Sequence, residues 1–317
     1  MHLFLAIDLG ATNTRLGMVS ENGDIKKQIV LKTPNEGTSA AVIPSFLIKS
    51  VKNFLSHEEF VTTEGIGIST AGPVDTTHGI LINPPNIPFH DIPLVGPLQD
   101  SFNLPVYLAN DCHCGVIGEV LFGSAQGSDN VVYITMSTGI GGGVILDGNL
   151  LIGRGGNAAE IGHFTVDTTY NLKCGCGHFG HWEGYASGRY IPQFFQAWCK
   201  CNSYTQGEST IAESKEIFRW VHRGDPQMSR FIDELGQINS RGISDVIVAY
   251  DPETIILDGS VVINNKVHIV PPMVKKIDRF LPLPNIVVSH LHGLAPLLGA
   301  AIIAHGYETP FGSLKKS

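Results

Sequence analysis

The chain has 317 residues, of which 43% are hydrophobic and 16% are charged, and its formal net charge is −8. This length and composition suit two packed domains and exclude a largely disordered chain. No basic block precedes Lys315 and Lys316, and no apolar run is long enough to span a bilayer, so neither nucleic acid nor a membrane is an expected partner. The first apolar run reaches Asp8 without any Lys or Arg, which favours a buried strand over a signal peptide and predicts a cytoplasmic enzyme.

The chain begins with a strand, a glycine turn and a second strand over residues 3–19 (LFLAIDLGATNTRLGMV). Asn22-Gly23 follows, a sequence typical of type I′ hairpins. Residues 131–153 repeat the arrangement, with Asp147-Gly148 at the hairpin. We interpret this repeat as a duplicated β-meander whose two glycine loops face each other across a cleft. Such loops suit the phosphates of a nucleotide, because bare backbone N–H groups approach oxyanions closely.

Strands and helices alternate through the rest of the chain. Short apolar runs predict strands over residues 64–70, 106–111 and 254–259. Helical spacing of apolar residues predicts helices over 38–57, 112–122, 183–199, 210–222, 225–250 and 294–305. This alternation predicts an α/β fold. Residues 153–183 are rich in Gly, His and Cys without clear periodicity, which predicts a long functional loop or a metal-pinned insert.

The first glycine loop lies in D-L-G-A-T-N-T-R, residues 8–15. Asp8 stands at a strand end and could hold Mg²⁺ through water, since Mg²⁺ keeps most of its hydration shell. Phosphate could accept hydrogen bonds from Gly10, from the backbone of Ala11 and Asn13 and from the Thr12 hydroxyl. An ordinary hairpin, whose Asp and Thr satisfy the turn, explains this segment equally well.

The second glycine loop is S-T-G-I-G-G-G, residues 137–143, in which Thr138, Gly139 and Gly141 are candidate nucleotide contacts. So many glycines indicate a backbone left open to a ligand, because each glycine costs conformational entropy. A bulged strand end is the structural alternative. Neither loop matches the P-loop pattern, and the Rossmann fingerprint is absent from the first strand.

Asn110 and Asp111 end an apolar strand, where ligand sites of α/β folds lie. Asp111 could accept a proton from a substrate hydroxyl group, or it could simply cap the following helix. Glu160, His163 and Glu183 add polar groups near a glycine-rich loop, which suits a polyhydroxylated ligand, although solvated surface explains each one alone.

Six cysteines occur in three C-x-C pairs, and structural disulfides are not expected in a cytosolic chain. His163, Cys174, Cys176 and His181 supply enough ligands for one tetrahedral Zn²⁺, with His178 as a substitute for His181. The C-x-C spacing is tighter than in zinc fingers, and free thiols in a tight turn are the alternative interpretation.

Six ordered motifs together resemble the ROK family (repressors, open reading frames and sugar kinases) of the actin-like ATPase superfamily. They are D-L-G-A-T-N-T-R at 8–15, A-N-D at 109–111, S-T-G-I-G-G-G at 137–143, G-N-A-A-E-I-G-H at 156–163, C-G-C-G-H-F-G-H-W-E at 174–183 and I-I-L-D-G-S at 255–260. The resemblance implies two actin-like, ribonuclease H-like domains with mixed sheets flanked by helices and a cleft between them. One domain would comprise residues 1–111 with a C-terminal helix at about 298–314, and the other residues 112–297.

The resemblance also implies the roles of the site residues. Asp111 would take the proton from the 6-hydroxyl group of a sugar, and ATP with Mg²⁺ would lie between the two loops with Gly259 under the adenosine. The residues that would hold the sugar ring are Asn83, Asn110, Glu160, His163 and Glu183. His163 would also join Cys174, Cys176 and His181 around a structural zinc, and the enzyme would be a homodimer or homotetramer.

The chain departs from the family pattern at two places. His181 stands where a third cysteine is expected, and the adenosine loop reads D-G-S where glycines are more common. The leading interpretation is an ATP-dependent kinase of a hexose or N-acetylhexosamine, with glucose or N-acetylmannosamine as the acceptor.

Three alternatives stay open at this point. A sugar-sensing regulator of the family would carry a DNA-binding domain ahead of the first motif, for which the residues before Asp8 leave no room. A catalytically silent sugar-binding protein would not need both Asp8 and Asp111. A kinase that uses polyphosphate should have a groove lined by Lys and Arg, and no dense basic cluster lies near the motifs in the sequence.

Overall fold

The computed structural model describes residues 2–37, 39–84, 87–204 and 213–306. Its strands are β1 (Leu3–Leu9), β2 (Asn13–Ser20), β3 (Ile25–Lys32), β4 (Thr63–Thr70), β5 (Val74–Asp75), β6 (Ile80–Leu81), β7 (Ile92–Pro93), β8 (Val106–Asn110), β9 (Val131–Met136), β10 (Ile140–Leu146), β11 (Asn149–Leu150), β12 (Thr254–Asp258) and β13 (Asn285–Val288). Its helices are α1 (Val42–Phe54), α2 (His57–Val61), α3 (Val95–Phe102), α4 (Asp111–Phe122), α5 (Glu183–Ala186), α6 (Ile191–Cys201), α7 (Ser214–His222), α8 (Pro226–Tyr250), α9 (Ser260–Val274) and α10 (Ala295–Ala304). The predicted α/β class is confirmed.

Two five-stranded sheets share one topology. The first has the order β3-β2-β1-β4-β8 and the second the order β11-β10-β9-β12-β13, so each is a meander extended by two later strands. In the first sheet the meander is antiparallel, whereas β1, β4 and β8 are parallel to one another. The duplication that the sequence predicts is therefore present in the strand order. A third, three-stranded sheet joins β5, β6 and β7.

The chain divides into two compact units. The first comprises the described residues up to 131, residues 143–158 and the described residues from 294 onward, and the second comprises residues 132–142 and the described residues of 159–293. The residue boundaries of the two actin-like domains, which the family resemblance places at 111 and 298, stay predictions.

In the first unit, α10 packs against α4, β1 and β4 through close backbone contacts. A Cβ atom on Gly67 would lie 1.8 Å from the carbonyl oxygen of Ala300, and one on Gly299 would lie 1.9 Å from that of Cys114. Non-bonded atoms do not approach each other so closely, so both positions require glycine. Gly67 lets α10 approach the sheet, and Gly299 lets α10 approach α4. The end of the predicted helix beyond residue 306 lies outside the described residues.

The two hairpins differ from each other. Asp147 and Gly148 have φ values of 48° and 72°, which confirms the type I′ turn between β10 and β11. The type I′ prediction at Asn22-Gly23 is wrong, because Gly23 alone there has a positive φ, and its N–H donates to the Ser20 carbonyl group at 2.9 Å. Glycine thus follows an ordinary turn and forms a bulge, and the β2–β3 register shifts accordingly.

Two predicted helices need correction. The helix predicted over residues 183–199 is two helices, α5 and α6, because Ser187 has an extended backbone and Pro192 lies in the first turn of α6, where a proline is tolerated. The helix predicted over 210–222 begins at Ser214 in α7, and residues 210–212 lie outside the described residues. The loop predicted over 153–183 contains one short 3-10 helix, Ile161–His163, and two isolated bridges.

None of the six cysteines, all of which lie in described segments, forms a disulfide bond. Within residues 2–37, 39–84, 87–204 and 213–306, no helix combines the length and apolar character that a membrane span requires.

Candidate functional site

Candidate acid–base residues gather at the carboxyl edge of the first sheet. Leu9, Thr70 and Asn110 lie side by side on β1, β4 and β8, so Asp8 precedes this row and Asp111 follows it. The Asn110 side chain caps α4 by accepting a hydrogen bond from the Cys112 N–H at 2.8 Å. Asp111 is therefore the first helical residue rather than the cap, and the capping alternative for Asp111 is wrong.

The two aspartates have raised pKa values. Burial, opposed by the nearby Arg15 guanidinium and reinforced by the charge of Asp111, raises the pKa of Asp8 to about 7. Arg15 Nη1 lies 3.4 Å from Asp8 Oδ2. Burial also raises the pKa of Asp111, against hydrogen bonds from Cys112 that lower it. A carboxylate that is partly desolvated holds a proton more readily, which suits a general base.

The first glycine loop is held from one side by Thr33, which follows β3. The Thr33 hydroxyl group donates to the Gly10 carbonyl at 2.6 Å, and the Thr33 N–H donates to the Thr12 carbonyl at 3.1 Å. Thr14 Oγ1 lies 2.7 Å from Thr33 Oγ1, and the Gly10 N–H donates to the Asn13 carbonyl at 3.1 Å. These bonds fix the loop while the side chains of Thr12 and Asn13 stay exposed.

The second glycine loop is connected to Glu183, the residue that begins α5. Glu183 Oε2 accepts a hydrogen bond from the Ile140 N–H at 3.0 Å, and a Cβ atom on Gly139 would lie 2.5 Å from the same oxygen. Gly142 likewise lies close to the Ala159 carbonyl group. None of the loop's glycines has a positive φ among the described residues. Glycine is required at 139, 142 and 143 because other groups approach the backbone closely there.

A cavity of about 650 Å³ opens beside the second glycine loop, within the second unit. Ser137 and Thr138 line one part of it, the turn at Gly188 another, and α7 and the start of α9 the rest. The Gly188 N–H donates to the Ser137 carbonyl at 2.7 Å, which joins the loop to that turn. Gly259, with φ 92° and ψ 156°, immediately precedes α9. The second glycine loop and the segment predicted to lie under the adenosine therefore border the same cavity.

Three exposed cationic side chains border this cavity: Arg189, Lys215 and Arg219. Glu213 is the acidic residue in the same lining, and it forms an ion pair with Lys215. The sequence has no dense basic cluster near the motifs, yet these three cations line one cavity in the fold. The cations are separated in the chain by a turn and a helix, and only the fold brings them together.

The stretch G-N-A-A-E-I-G-H is pinned by Asn157. Its side chain accepts a hydrogen bond from the Val74 N–H at 3.0 Å and donates to the Val74 carbonyl at 3.2 Å. Ala159 then has φ 65°, a conformation that costs free energy for a residue with a Cβ atom. Glu160 follows, and its Oε2 lies 3.6 Å from His163 Nδ1. Asn83 lies exposed after β6, and its contact with sugar stays a prediction.

The four predicted metal ligands lie together in the second unit. The ligand atoms of His163, Cys174, Cys176 and His181 lie within 4.8 Å of one another, and Cys176 Sγ is 3.2 Å from His181 Nδ1. Metal–ligand lengths of about 2.0–2.3 Å place tetrahedral zinc ligands roughly 3.3–3.8 Å apart, close to this arrangement. His163 Nδ1 is buried without a hydrogen-bond partner among the described residues. Two thiols, two imidazoles and an unsatisfied nitrogen fit a zinc ion.

Three positioning groups escaped the sequence analysis: Thr33, Asn157, and the pair formed by Tyr133 and Asp258. Tyr133 Oη donates to Asp258 Oδ2 at 2.9 Å. Thr33 and Tyr133 carry no sequence signal, because their partners are distant in the chain. Asn157 and Asp258 do lie inside motifs. The motifs do not show that Asn157 pairs with the backbone of Val74 or that Asp258 is buried.

Comparisons with known proteins bear on the family and the fold of this chain. Residues 4–307 match the sequence model described as the ROK family. A glucokinase from Pyrobaculum calidifontis is 33% identical, and the alignment covers 100% of this chain and 98% of that protein. An N-acetylmannosamine kinase from Escherichia fergusonii is 31% identical, with 95% of this chain and 98% of that protein covered.

A solved structure shows the same fold with ligands. It is a ROK family glucokinase from Streptomyces griseus in complex with glucose and AMPPNP. It is 30% identical to this chain with a TM-score of 0.79, and the superposition covers 96% of this chain and 99% of that one. The fold is therefore shared with a protein solved in complex with glucose and AMPPNP.

Proposed function

The chain belongs to the ROK family, and on that premise we propose that it transfers the γ-phosphate of ATP to the 6-hydroxyl group of a hexose or N-acetylhexosamine. The observation that carries this proposal is the pair of carboxylates, Asp8 and Asp111, at one edge of the first sheet. An enzyme that joins a phosphate to an alcohol needs a group that accepts the alcohol's proton and a site for the cation that accompanies the phosphates.

In the proposed reaction, Asp111 Oδ accepts the proton of the sugar hydroxyl as that oxygen attacks the γ-phosphorus. The bond from phosphorus to the bridging oxygen breaks, and ADP leaves with that electron pair. Asn110 would orient a neighbouring hydroxyl group through its amide N–H₂ group, because its Oδ1 already caps α4. Asp8 would hold Mg²⁺ through water, and this ion would supply positive charge that offsets the charge of the phosphates.

The donor would lie against the two glycine loops. The backbone of Gly10, Ala11 and Asn13 and the Thr12 hydroxyl, in the first unit, would bind its phosphates, as would Thr138, Gly139 and Gly141 in the second. The nucleoside would occupy the cavity beside α7 and α9, above Gly259. Preorganised amides stabilise the transferred phosphoryl group because they need no reorientation during the reaction.

Glucose is the acceptor we favour, with N-acetylmannosamine second. The glucokinase relative is 33% identical and the N-acetylmannosamine kinase relative 31% identical, both over nearly the whole chain. The proposed ring contacts, Glu160, His163 and Glu183, lie in the second unit with the zinc ligands next to them. These groups recognise hydroxyl groups, which all candidate sugars share.

The deciding experiment measures ADP release from Mg·ATP with a panel of hexoses and N-acetylhexosamines. We expect turnover with glucose and formation of glucose 6-phosphate, detected by a coupled dehydrogenase. Turnover confined to N-acetylmannosamine would reassign the acceptor and keep the kinase. No turnover with any sugar, from protein that binds glucose by calorimetry, would contradict the kinase and leave the silent sugar-binding alternative.

A second donor is worth testing because of the cations around the cavity. Arg189, Lys215 and Arg219 border the site where the donor would lie, in a chain whose net charge is −8. A local excess of positive charge attracts a polyanion, so linear polyphosphate is the alternative donor. Polyphosphate with ATP omitted should give sugar phosphate if this alternative holds, and Arg219→Gln should weaken polyphosphate use more than ATP use.

Two further properties belong to the same proposal. The enzyme would lie in the cytoplasm, which agrees with six cysteines that form no disulfide bond within the described residues. It would assemble as a homodimer or homotetramer, which size-exclusion chromatography with light scattering tests directly.

A further inference from the structure

We propose that Tyr133 and Asp258 are positioning residues of the donor site, which together fix the backbone at Gly259 and thereby set the affinity for the nucleotide. This inference rests on the proposed function, since it assigns the cavity beside α9 to the donor. The hydrogen bonds within this pair and to Gly259 involve none of the predicted sugar contacts, so the effect should fall on the donor alone.

The pair links two neighbouring strands of the second sheet. Tyr133 lies on β9, and Asp258 is the last residue of β12. Tyr133 Oη donates to Asp258 Oδ2 at 2.9 Å, and the Gly259 N–H donates to Asp258 Oδ1 at 2.7 Å. Both oxygens of the carboxyl group therefore hold a partner, one on the neighbouring strand and one on the turn that follows.

Both side chains of the pair are buried. Tyr133 is 2% exposed and Asp258 is 1% exposed, in a strand whose other residues are Thr254, Ile255, Ile256 and Leu257. A buried carboxyl group is costly unless its oxygens are hydrogen-bonded, and an apolar side chain would pack here without that cost.

The structure that the pair fixes is a backbone conformation open only to glycine. Gly259 has φ 92° and ψ 156°, and a Cβ atom there would lie 2.4 Å from the Met136 carbonyl oxygen. Met136 ends β9 and precedes Ser137, the first residue of the second glycine loop. The Asp258 hydrogen bond to the Gly259 N–H holds this conformation against relaxation.

The turn at Gly259 determines where α9 begins. Ser260 and Val261, the first residues of α9, line the cavity together with Ser137 and Thr138. A shift of the turn would move one wall of the cavity relative to the other. A ligand in a preformed cavity binds more tightly because the site is already ordered, so loss of the pair should weaken donor binding.

The test compares Tyr133→Phe and Asp258→Asn with the unaltered chain. Phe keeps the packing of the ring and removes one hydrogen-bond donor, and Asn keeps an acceptor for Gly259. We expect the Kd of AMPPNP, measured by calorimetry without sugar, and the donor KM to rise about 5- to 20-fold in Tyr133→Phe. The KM for sugar and kcat should stay within twofold of the unaltered chain. The rise in the Kd of AMPPNP in the double variant should be smaller than the product of the two single rises, since both substitutions disrupt the same hydrogen-bonded pair.

Tyr185→Phe is the matched control. The hydroxyl group of Tyr185 is equally buried and accepts a hydrogen bond from the Leu172 N–H at 3.0 Å, in the same unit. Its loss should lower thermal stability to a similar extent without changing the affinity for AMPPNP. If Tyr133→Phe lowers Tm and leaves AMPPNP affinity unchanged, the pair is only structural and the inference is overturned.

The same measurements separate this inference from the proposed function. A chain that binds AMPPNP and phosphorylates no sugar would contradict the kinase, while the comparison of AMPPNP affinities would still decide the role of the pair. A chain that phosphorylates sugar with an unchanged donor KM in Tyr133→Phe and Asp258→Asn would keep the kinase and overturn the inference.

Discussion

The carboxyl groups of Asp8 and Asp111 interact across the edge of the first sheet: burial raises the pKa of Asp8 to about 7, and the negative charge of Asp111 adds to this rise against the opposing charge of Arg15. Asp8 lies on β1 and Asp111 directly follows β8, and β4 alone separates these two strands. Two carboxylates in a partly desolvated site repel each other, and a divalent cation or a proton relieves the repulsion. This relationship suits the base and the cation site that we propose at this edge.

Asp111→Asn should reduce kcat by at least about 100-fold, because general bases contribute about 10²–10⁴-fold. The amide keeps the size of the side chain and cannot accept the proton. Glucose binding, measured by calorimetry, should stay within a fewfold of the unaltered chain. Asp100→Asn, at an exposed position on α3 in the same unit, is the control and should leave kcat unchanged. Turnover of Asp111→Asn within tenfold of the unaltered chain would rule out the base role.

Asp8→Asn should stabilise the protein without ligands, and increasingly so as the pH rises. The unfolded carboxyl group loses its proton near its ordinary pKa of 3.8, whereas burial raises the folded pKa of Asp8 to about 7. Between these values the unfolded state binds fewer protons, so the contribution of Asp8 to stability falls with pH and is constant above the folded pKa.

The difference in unfolding free energy between Asp8→Asn and the unaltered chain should grow by about 2 kcal/mol from pH 5.5 to pH 8. Urea unfolding at several pH values, without Mg²⁺ and nucleotide, measures it. A difference that is independent of pH would show that the pKa of Asp8 is not raised. Sugar kinase activity should fall sharply in the same variant, since Asp8 is the proposed holder of Mg²⁺.

The duplicated meander could be predicted from sequence because its signals are local. Apolar runs, glycine turns and the Asp147-Gly148 hairpin each occupy a few consecutive residues, and the structure confirms the strands that they predict. The break at Ser187 has local signals in Gly188 and Pro192, but apolar residues keep helical spacing on both sides of it, and this spacing predicts one continuous helix. Tertiary contacts, here the Gly188 N–H bonded to the Ser137 carbonyl, decide where that helix stops.

The candidate site was predictable only in part for a similar reason. Asp8 and Asp111 stand at strand ends, so topology alone brings them to one edge. From the sequence, either Asn110 or Asp111 could cap α4. The cap is the residue whose side chain reaches the Cys112 N–H, and the sequence does not decide between two adjacent polar residues. The cationic border of the cavity depends on how α7 packs, which no short segment encodes.

Gly139→Ala should reduce activity by about tenfold or more with little loss of stability. The added methyl group would lie 2.5 Å from Glu183 Oε2, so the carboxylate has to leave the Ile140 N–H. Glu183 is a proposed sugar contact, and its displacement should raise the KM for sugar as well as disturb the donor loop. Steady-state kinetics with each substrate varied in turn separates the two effects.

Gly96→Ala is the control for this substitution. Gly96 lies in α3, and a methyl group added there would meet open space, with no neighbouring atom of the described residues within 4 Å. A helical Gly→Ala change should stabilise the protein by up to about 1 kcal/mol and leave both KM values unchanged. Equal kinetics for Gly139→Ala and the unaltered chain would show that the contact with Glu183 is dispensable.

Purified protein should contain about one zinc ion per chain, held by His163, Cys174, Cys176 and His181. Without a metal, burial raises the pKa of the Cys174 thiol to about 11, so this buried sulfur would stay protonated at neutral pH. Zinc binding releases the proton of the Cys174 thiol. It also brings an ion to the cluster that contains His163, whose buried Nδ1 has no hydrogen-bond partner among the described residues. Metal analysis by mass spectrometry, on protein prepared without chelator, measures the content.

Cys174→Ser should lose the zinc and lower Tm, whereas Cys201→Ser should keep both. Cys201 is exposed at the end of α6 and lies outside the metal cluster, so it controls for the loss of a thiol as such. Because Glu183 Oε1 lies 3.8 Å from Cys174 Sγ, loss of the metal should also loosen Glu183 and raise the KM for sugar. Zinc-free protein whose Tm and sugar KM do not change on adding zinc would show that these four side chains serve packing alone.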